Sequence, residues 1–131
     1  MATETLRQLL APVLHRYRET IGTVYLFGSS LEEHPPPDAD VDLAVLLKKG
    51  AKSSAGEVRL ALHADLCRAL HRNDIDLVIL DMVSNLSLLD DIIRWGRILY
   101  DDDPEAREYF EVRTLHAAID FKTQRQQVMG V

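Results

Sequence analysis

LFGSSLEEHPPPDADVDLAVLL, residues 26–47, carries two apolar runs separated by a polar, proline-rich connector. The first run, Thr23-Val24-Tyr25-Leu26-Phe27, is β-branched and aromatic and short enough for a buried strand, which Gly28-Ser29-Ser30 stops. The connector reads as a loop or helical turn followed by a stiff link through Pro35, Pro36 and Pro37. A second strand begins near Asp40 and runs through Leu47. Two runs joined by a connector of this length can be neighbours in one sheet.

Chemistry concentrates at the ends of these strands. Gly28 lets the backbone turn sharply and approach a phosphate, and Ser29 can place a hydroxyl and an amide at an anion site, with Ser30 beside it. After ten intervening residues, Asp40 and Asp42 stand two apart. On a strand their side chains leave the same face and can share hard cations. Ile75 to Leu80 gives a third strand, IDLVIL, with Asp74 and Asp76 at its start. If it neighbours the second strand, Asp76 joins the acidic face, with Asp74 as the alternative. Three carboxylates so placed can hold two Mg²⁺ ions, one activating an acceptor hydroxyl and one steadying a triphosphate during in-line attack.

Working outward, Leu6, Leu9, Leu10, Val13, Leu14 and Tyr17 recur at helical spacing from Glu4 to Tyr17, with a kink or break expected at Pro12. Lys48 to Ser54 is a polar loop, and Ser53 or Ser54 can cap a helix through Val58, Leu62, Cys67 and Leu70 that ends by Asn73. Ser84 can cap another through Leu89, Ile92 and Trp95, stopped by Gly96. Arg97 to Tyr100 is a short edge strand or an extended link. Asp103-Pro104 opens a last helix over 104–121, and 123–131 is expected to be a flexible tail. The order predicts one α+β domain over 1–131, a small mixed β-sheet with helices packed against it.

Composition bounds the rest. The 131 residues, 47% hydrophobic and 27% charged, suit one soluble globular core. The net charge of −6 argues against stable nucleic-acid binding, yet a carboxylate-held metal accepts a nucleotide triphosphate. No apolar run reaches membrane-span length and the N-terminus lacks a secretory pattern, so a cytoplasmic protein is expected. Cys67, the single cysteine, reads as a buried inert thiol, and the five histidines lack zinc-ligand spacing. Asp38 reads as a turn residue and Asp101-Asp102-Asp103 as capping acids. Trp95, Tyr109 and Phe110 read as core or partner-interface residues and Tyr25 as core.

Gly28-Ser29, the spacer, Asp40 and Asp42, the flanking apolar frames and the acid in IDLVIL together resemble the nucleotidyltransferase superfamily related to DNA polymerase β. Within it, the chain resembles the minimal nucleotidyltransferase (MNT) antitoxins that pair with HEPN-family toxins. The resemblance covers Thr23 to Leu80 and continues, less specifically, through GRILYDDDPEAREYFEVRTLHAAIDFK. It implies a polymerase β-like fold, Mg²⁺ on Asp40, Asp42 and Asp76, and phosphates on Gly28, Ser29 and Ser30. It also implies transfer of AMP from ATP to a tyrosine of a HEPN ribonuclease toxin, in a hetero-oligomer with it. The family's toxins carry an Arg-x₄₋₆-His motif, and no Arg and His of this chain stand at that spacing. Many relatives read Gly-Ser-Arg where this chain has Ser30. The rival readings are an antitoxin that blocks its toxin by binding alone, and a small-molecule nucleotidyltransferase of the aminoglycoside type.

Overall fold

The apolar runs pair antiparallel as β1 (Ile21–Phe27) and β2 (Val41–Leu47), in a register that sets Leu26 opposite Leu43 and Phe27 opposite Asp42. In the computed structural model, which describes residues 2–28 and 39–128 and the side chains as far as 125, they are the inner strands of a four-stranded sheet. β3 (Ile75–Ile79) lies parallel to β2, and β4 (Arg97–Asp101) lies antiparallel to β1, giving the order β3-β2-β1-β4. The sheet is therefore mixed, and with its helices the fold is α+β. Arg97–Asp101 is an edge strand, a choice its sequence leaves open because its partner, β1, is distant in the chain.

Strand alternation divides the core in two. Val24, Leu26, Leu43, Val45, Ile75 and Leu77 face α1 (Thr3–Arg16) and α2 (Ala55–Leu70), whose Leu6, Leu10, Leu14, Leu62 and Leu66 are buried against them. Tyr25, Ala44 and Leu46 belong to the second cluster with Leu89 and Ile92 of α3 (Leu86–Trp95), and Phe110 of α4 (Pro104–Val128) packs against it. Asp42 and Asp76 share the parity of Ala44 and Val78, so they continue that second face to the end of the sheet.

Several local expectations need correction. α1 runs through Pro12 without a break; the proline is exposed, so the carbonyl it leaves unpaired in the preceding turn can meet water. Residues Lys49–Ser54 form a 3₁₀ turn rather than a loop, and Ser54 precedes α2 without a side-chain capping bond. α2 ends at His71, in the left-handed conformation with φ 53°. The cap of α3 is Asn85 rather than Ser84, its side chain accepting the Leu88 amide. α4 continues to Val128 instead of stopping at 121, because Lys122, Gln124, Arg125, Gln126 and Gln127 are good helix formers and no glycine intervenes before Gly130. The tail expected over 123–131 is thus helical as far as 128. Trp95, expected in the core or at a partner interface, is 72% exposed, so the core is excluded.

α4 is fastened at its start. Asp103 caps it by accepting the Ala106 amide at 3.2 Å, and Arg107 bonds both Asp101 and Glu111. Tyr25, 1% exposed, donates its hydroxyl to Glu111 at 2.7 Å, and burial first, then Glu111, push its pKa far above the ordinary tyrosine value. Tyr25→Phe is expected to cost about 1 kcal/mol, since Arg107 still pairs Glu111. Thermal denaturation at neutral pH should show a melting point lower by a few degrees with activity retained. An unchanged melting point would mean that the bond contributes nothing. Among the described residues, no helix is long and apolar enough to cross a membrane.

Candidate active site

Asp42 lies between two strands at the end of the sheet. On its antiparallel side its partner is Phe27, followed by Gly28, and on its parallel side its partner is Asp76. The Asp42 and Asp76 side chains face each other from paired positions on neighbouring strands, within reach of a hydrogen bond if one of them is protonated. The Asp42 carboxyl is accordingly pushed up to about 6, by partial burial first, then by the bond and charge of Asp76, and last by the charge of Asp40.

Gly28 explains why the carboxylate can sit there. Its φ is +77°, a region that side chains rarely adopt, and a Cβ built on it would lie 2.1 Å from Asp42 Oδ2. The glycine and the second aspartate of Asp-x-Asp are therefore in direct contact, although fourteen positions separate them in the chain.

Asp40 stands just before β2, exposed, with its charge felt at Asp42. Among the described residues no three acidic, histidine or cysteine side chains converge at metal-ligand spacing, so Asp42 and Asp76 form the close pair and Asp40 its outer neighbour. Ser29 and Ser30, together with His34 and Asp38, lie outside the described residues.

Asp74, just before β3, and Asp76, within it, have different partners. Arg72 grips both oxygens of Asp74, at 2.6 and 2.5 Å, and holds that carboxyl below the usual carboxylate range. The same guanidinium donates to the Ala39 carbonyl at 2.7 Å, and the Asp74 carbonyl accepts the Val41 amide at 3.0 Å. Asp74 fastens the entry of β2 to the entry of β3, while Asp76 faces Asp42.

A cleft of about 390 Å³ opens beside the pair, lined by Phe27, Asp42, Asp76, Arg59, His63 and Leu88 among others. Arg59 and His63 were not legible in the sequence. They stand one helical turn apart on α2, and only the packing of α2 against β3 brings them here. His63 is anchored by a 2.9 Å contact from Nε2 to the Ile75 carbonyl, and the half-buried Cys67 lies 3.7 Å from the same nitrogen.

The donor set suits a hard divalent cation. Two carboxylates on adjacent strands, one with its ionised form disfavoured by its neighbours, gain when a cation offsets their like charge. Asp42 and Asp76 would hold it, and Asp40 stands close enough for its charge to contribute.

Residues 8–105 match the family model described as "Polymerase beta, Nucleotidyltransferase". The chain belongs to the polymerase β nucleotidyltransferase family. The match contains the acidic pair, Gly28 and the whole sheet. Solved structures agree in fold over almost all of both chains. A chain of the structure of a tri-AMPylated Shewanella oneidensis HEPN toxin in complex with an MNT antitoxin is 24% identical, with a TM-score of 0.68, and the match covers 98% of this chain and 97% of that one. A chain of a toxin–antitoxin structure with AMP-PNP is 25% identical, with a TM-score of 0.71, and covers 95% of each chain. A chain of the toxin–antitoxin pair MntA–HepT is 24% identical, with a TM-score of 0.69, and covers 97% and 96%. No curated protein sequence matches significantly.

Proposed function

We propose that this chain is an antitoxin that transfers AMP from ATP to a tyrosine hydroxyl of a HEPN-type toxin. The observation that carries the reading is the Asp42–Asp76 pair seated against Gly28 inside a nucleotidyltransferase domain. The partner is suggested by the likeness, along nearly the whole chain, to an antitoxin complexed with an AMP-bearing toxin. A likeness to a structure containing AMP-PNP supports an adenine nucleotide as substrate.

In this reading the phenolic oxygen attacks the α-phosphorus of ATP in line. A new oxygen–phosphorus bond forms as the bond to the bridging oxygen breaks, and pyrophosphate departs with the electron pair. Asp42 and Asp76, with Asp40, would hold Mg²⁺, which when bound supplies the positive charge that activates the hydroxyl and draws in the triphosphate. Asp76, the more exposed of the pair, would receive the phenolic proton. Gly28 keeps the strand end free of side chain beside Asp42, and Ser29 and Ser30 follow it as phosphate ligands. Arg59, lining the same cleft, offers a guanidinium for the triphosphate in a chain with Ser30 where many relatives carry Arg.

The test is the intact mass of a cognate HEPN protein after incubation with this chain, ATP and Mg²⁺. One or more added AMP units are expected with the wild type and with Asp74→Asn, and none with the Asp40→Asn/Asp42→Asn pair or with Asp76→Asn. An unmodified toxin that is nevertheless silenced by the wild type would replace this reading with inhibition by binding alone. AMP found only on small molecules would replace it with a small-molecule nucleotidyltransferase.

A further inference from the structure

Among the described residues, β3 is an edge strand, with β2 on one side and no strand on the other. Peptide groups along a strand point alternately to its two sides. The Asp74 carbonyl accepts the Val41 amide at 3.0 Å, so the next carbonyl, that of Ile75, points away from β2 toward the open edge. There His63 of α2 meets it, with Nε2 2.9 Å from the oxygen. A carbonyl only accepts, so Nε2 carries the proton and donates it.

This carbonyl matters because of what shares its plane. The Ile75 carbonyl and the Asp76 amide belong to one rigid peptide unit. Fixing the oxygen fixes the direction in which Asp76, with its carboxylate opposite Asp42, leaves that unit. The inner side of the strand is tied already, through Asp74 to Val41 and through Arg72 to Asp74 and the Ala39 carbonyl. Among the described residues, His63 supplies the one side-chain hydrogen bond to the backbone of β3 on its outer side.

The bond adds little to the stability of the fold. Ile75 and His63 both border the cleft beside the acidic pair, where water can reach an edge carbonyl left bare. Removing the imidazole exchanges a fixed donor for a mobile one. The cost falls on placement, and placement is what two carboxylates need in order to share a cation. The imidazole is itself held. It is half-buried, Cys67 Sγ lies 3.7 Å from Nε2, and α2 is seated in the core through Leu62 and Leu66. On the reading of Asp42 and Asp76 as Mg²⁺ ligands, we propose that His63 is a positioning residue for Asp76, holding the Ile75–Asp76 peptide so that both carboxylates meet the same ion.

The experiment is a melting curve of the purified full chain, first in EDTA and then across a Mg²⁺ titration, for the wild type, His63→Ala, His63→Gln and His63→Asn. Glutamine carries its amide nitrogen as many bonds from the backbone as histidine carries Nε2, and asparagine falls one bond short. In EDTA the four proteins are expected to melt within about 5 °C of one another. The Mg²⁺ concentration that gives half of the stabilisation is expected to rise about tenfold or more for His63→Ala and His63→Asn, and to stay close to the wild-type value for His63→Gln. A role confined to stability would lower the EDTA melting point and leave that concentration unchanged, which would overturn the proposal. A glutamine variant no better than asparagine would overturn it too, as would a wild type that Mg²⁺ does not stabilise. The titration needs no toxin. A chain that shows the expected Mg²⁺ midpoints yet leaves a HEPN protein unmodified would fail as the antitoxin proposed above and keep the role of His63.

Discussion

Asp42→Asn is expected to reduce AMP transfer by about a thousandfold or more while making the metal-free protein more stable. The loss follows from the place of the carboxylate, between Asp76 and Gly28, where an amide cannot replace a charged ligand. The gain follows from its surroundings. Burial and two neighbouring acids raise the folded-state pKa of Asp42 to about 6, above its ordinary 3.8. A group raised in this way disfavours the fold once it ionises, so the cost is absent below about pH 4 and complete above about pH 6. Thermal melts in EDTA should therefore favour the variant at pH 7.5 and converge with the wild type toward pH 4. Adding Mg²⁺ should raise the melting point of the wild type and not that of the variant. A variant that transfers AMP at the wild-type rate would remove Asp42 from the machinery.

Gly28→Val is expected to abolish transfer as well, for a steric reason. The backbone at φ +77° costs an L side chain about 1–2 kcal/mol, and its Cβ would lie 2.1 Å from Asp42 Oδ2 and 3.0 Å from Cγ. The carboxylate must give way, so turnover should fall at least about a hundredfold even where the protein remains folded. Gly28→Ala should show the same loss with less destabilisation, because the offending atom is already present. Single-turnover transfer beside a melting curve separates the two effects. A Gly28→Ala protein with normal turnover would show that the Asp42 side chain can work from a displaced position.

The sequence made the chemistry legible earlier than its support. Alternation along a strand put Asp42 on the face of Ala44, whereas Asp40, expected beside it on that strand, stands just before β2, and the apolar frames around Gly28 and Asp42 identified the strands that pair. Parity could not separate Asp74 from Asp76, since both fall on the same side. The separation comes from Arg72, delivered to Asp74 by the left-handed turn at His71, and no periodicity encodes it. Arg59 and His63 are invisible for a related reason: a helix sequence gives its buried stripe but not which strand end that stripe overlooks. The break that Pro12 offered as one outcome does not occur. A proline in a helix is disruptive when its orphaned carbonyl is buried, and here the residue faces solvent.

The double duty of Arg72 bears on how this protein can vary between lineages. By gripping Asp74 and the Ala39 carbonyl together, it anchors the point where the connector re-enters the sheet, just as the Gly28–Asp42 contact anchors the point where it leaves. With both ends pinned by groups outside it, insertion or exchange between residues 31 and 38 is expected to leave the acidic pair in place, while Ser29 and Ser30, proposed for the phosphates, are tied to the chemistry and are not free to change.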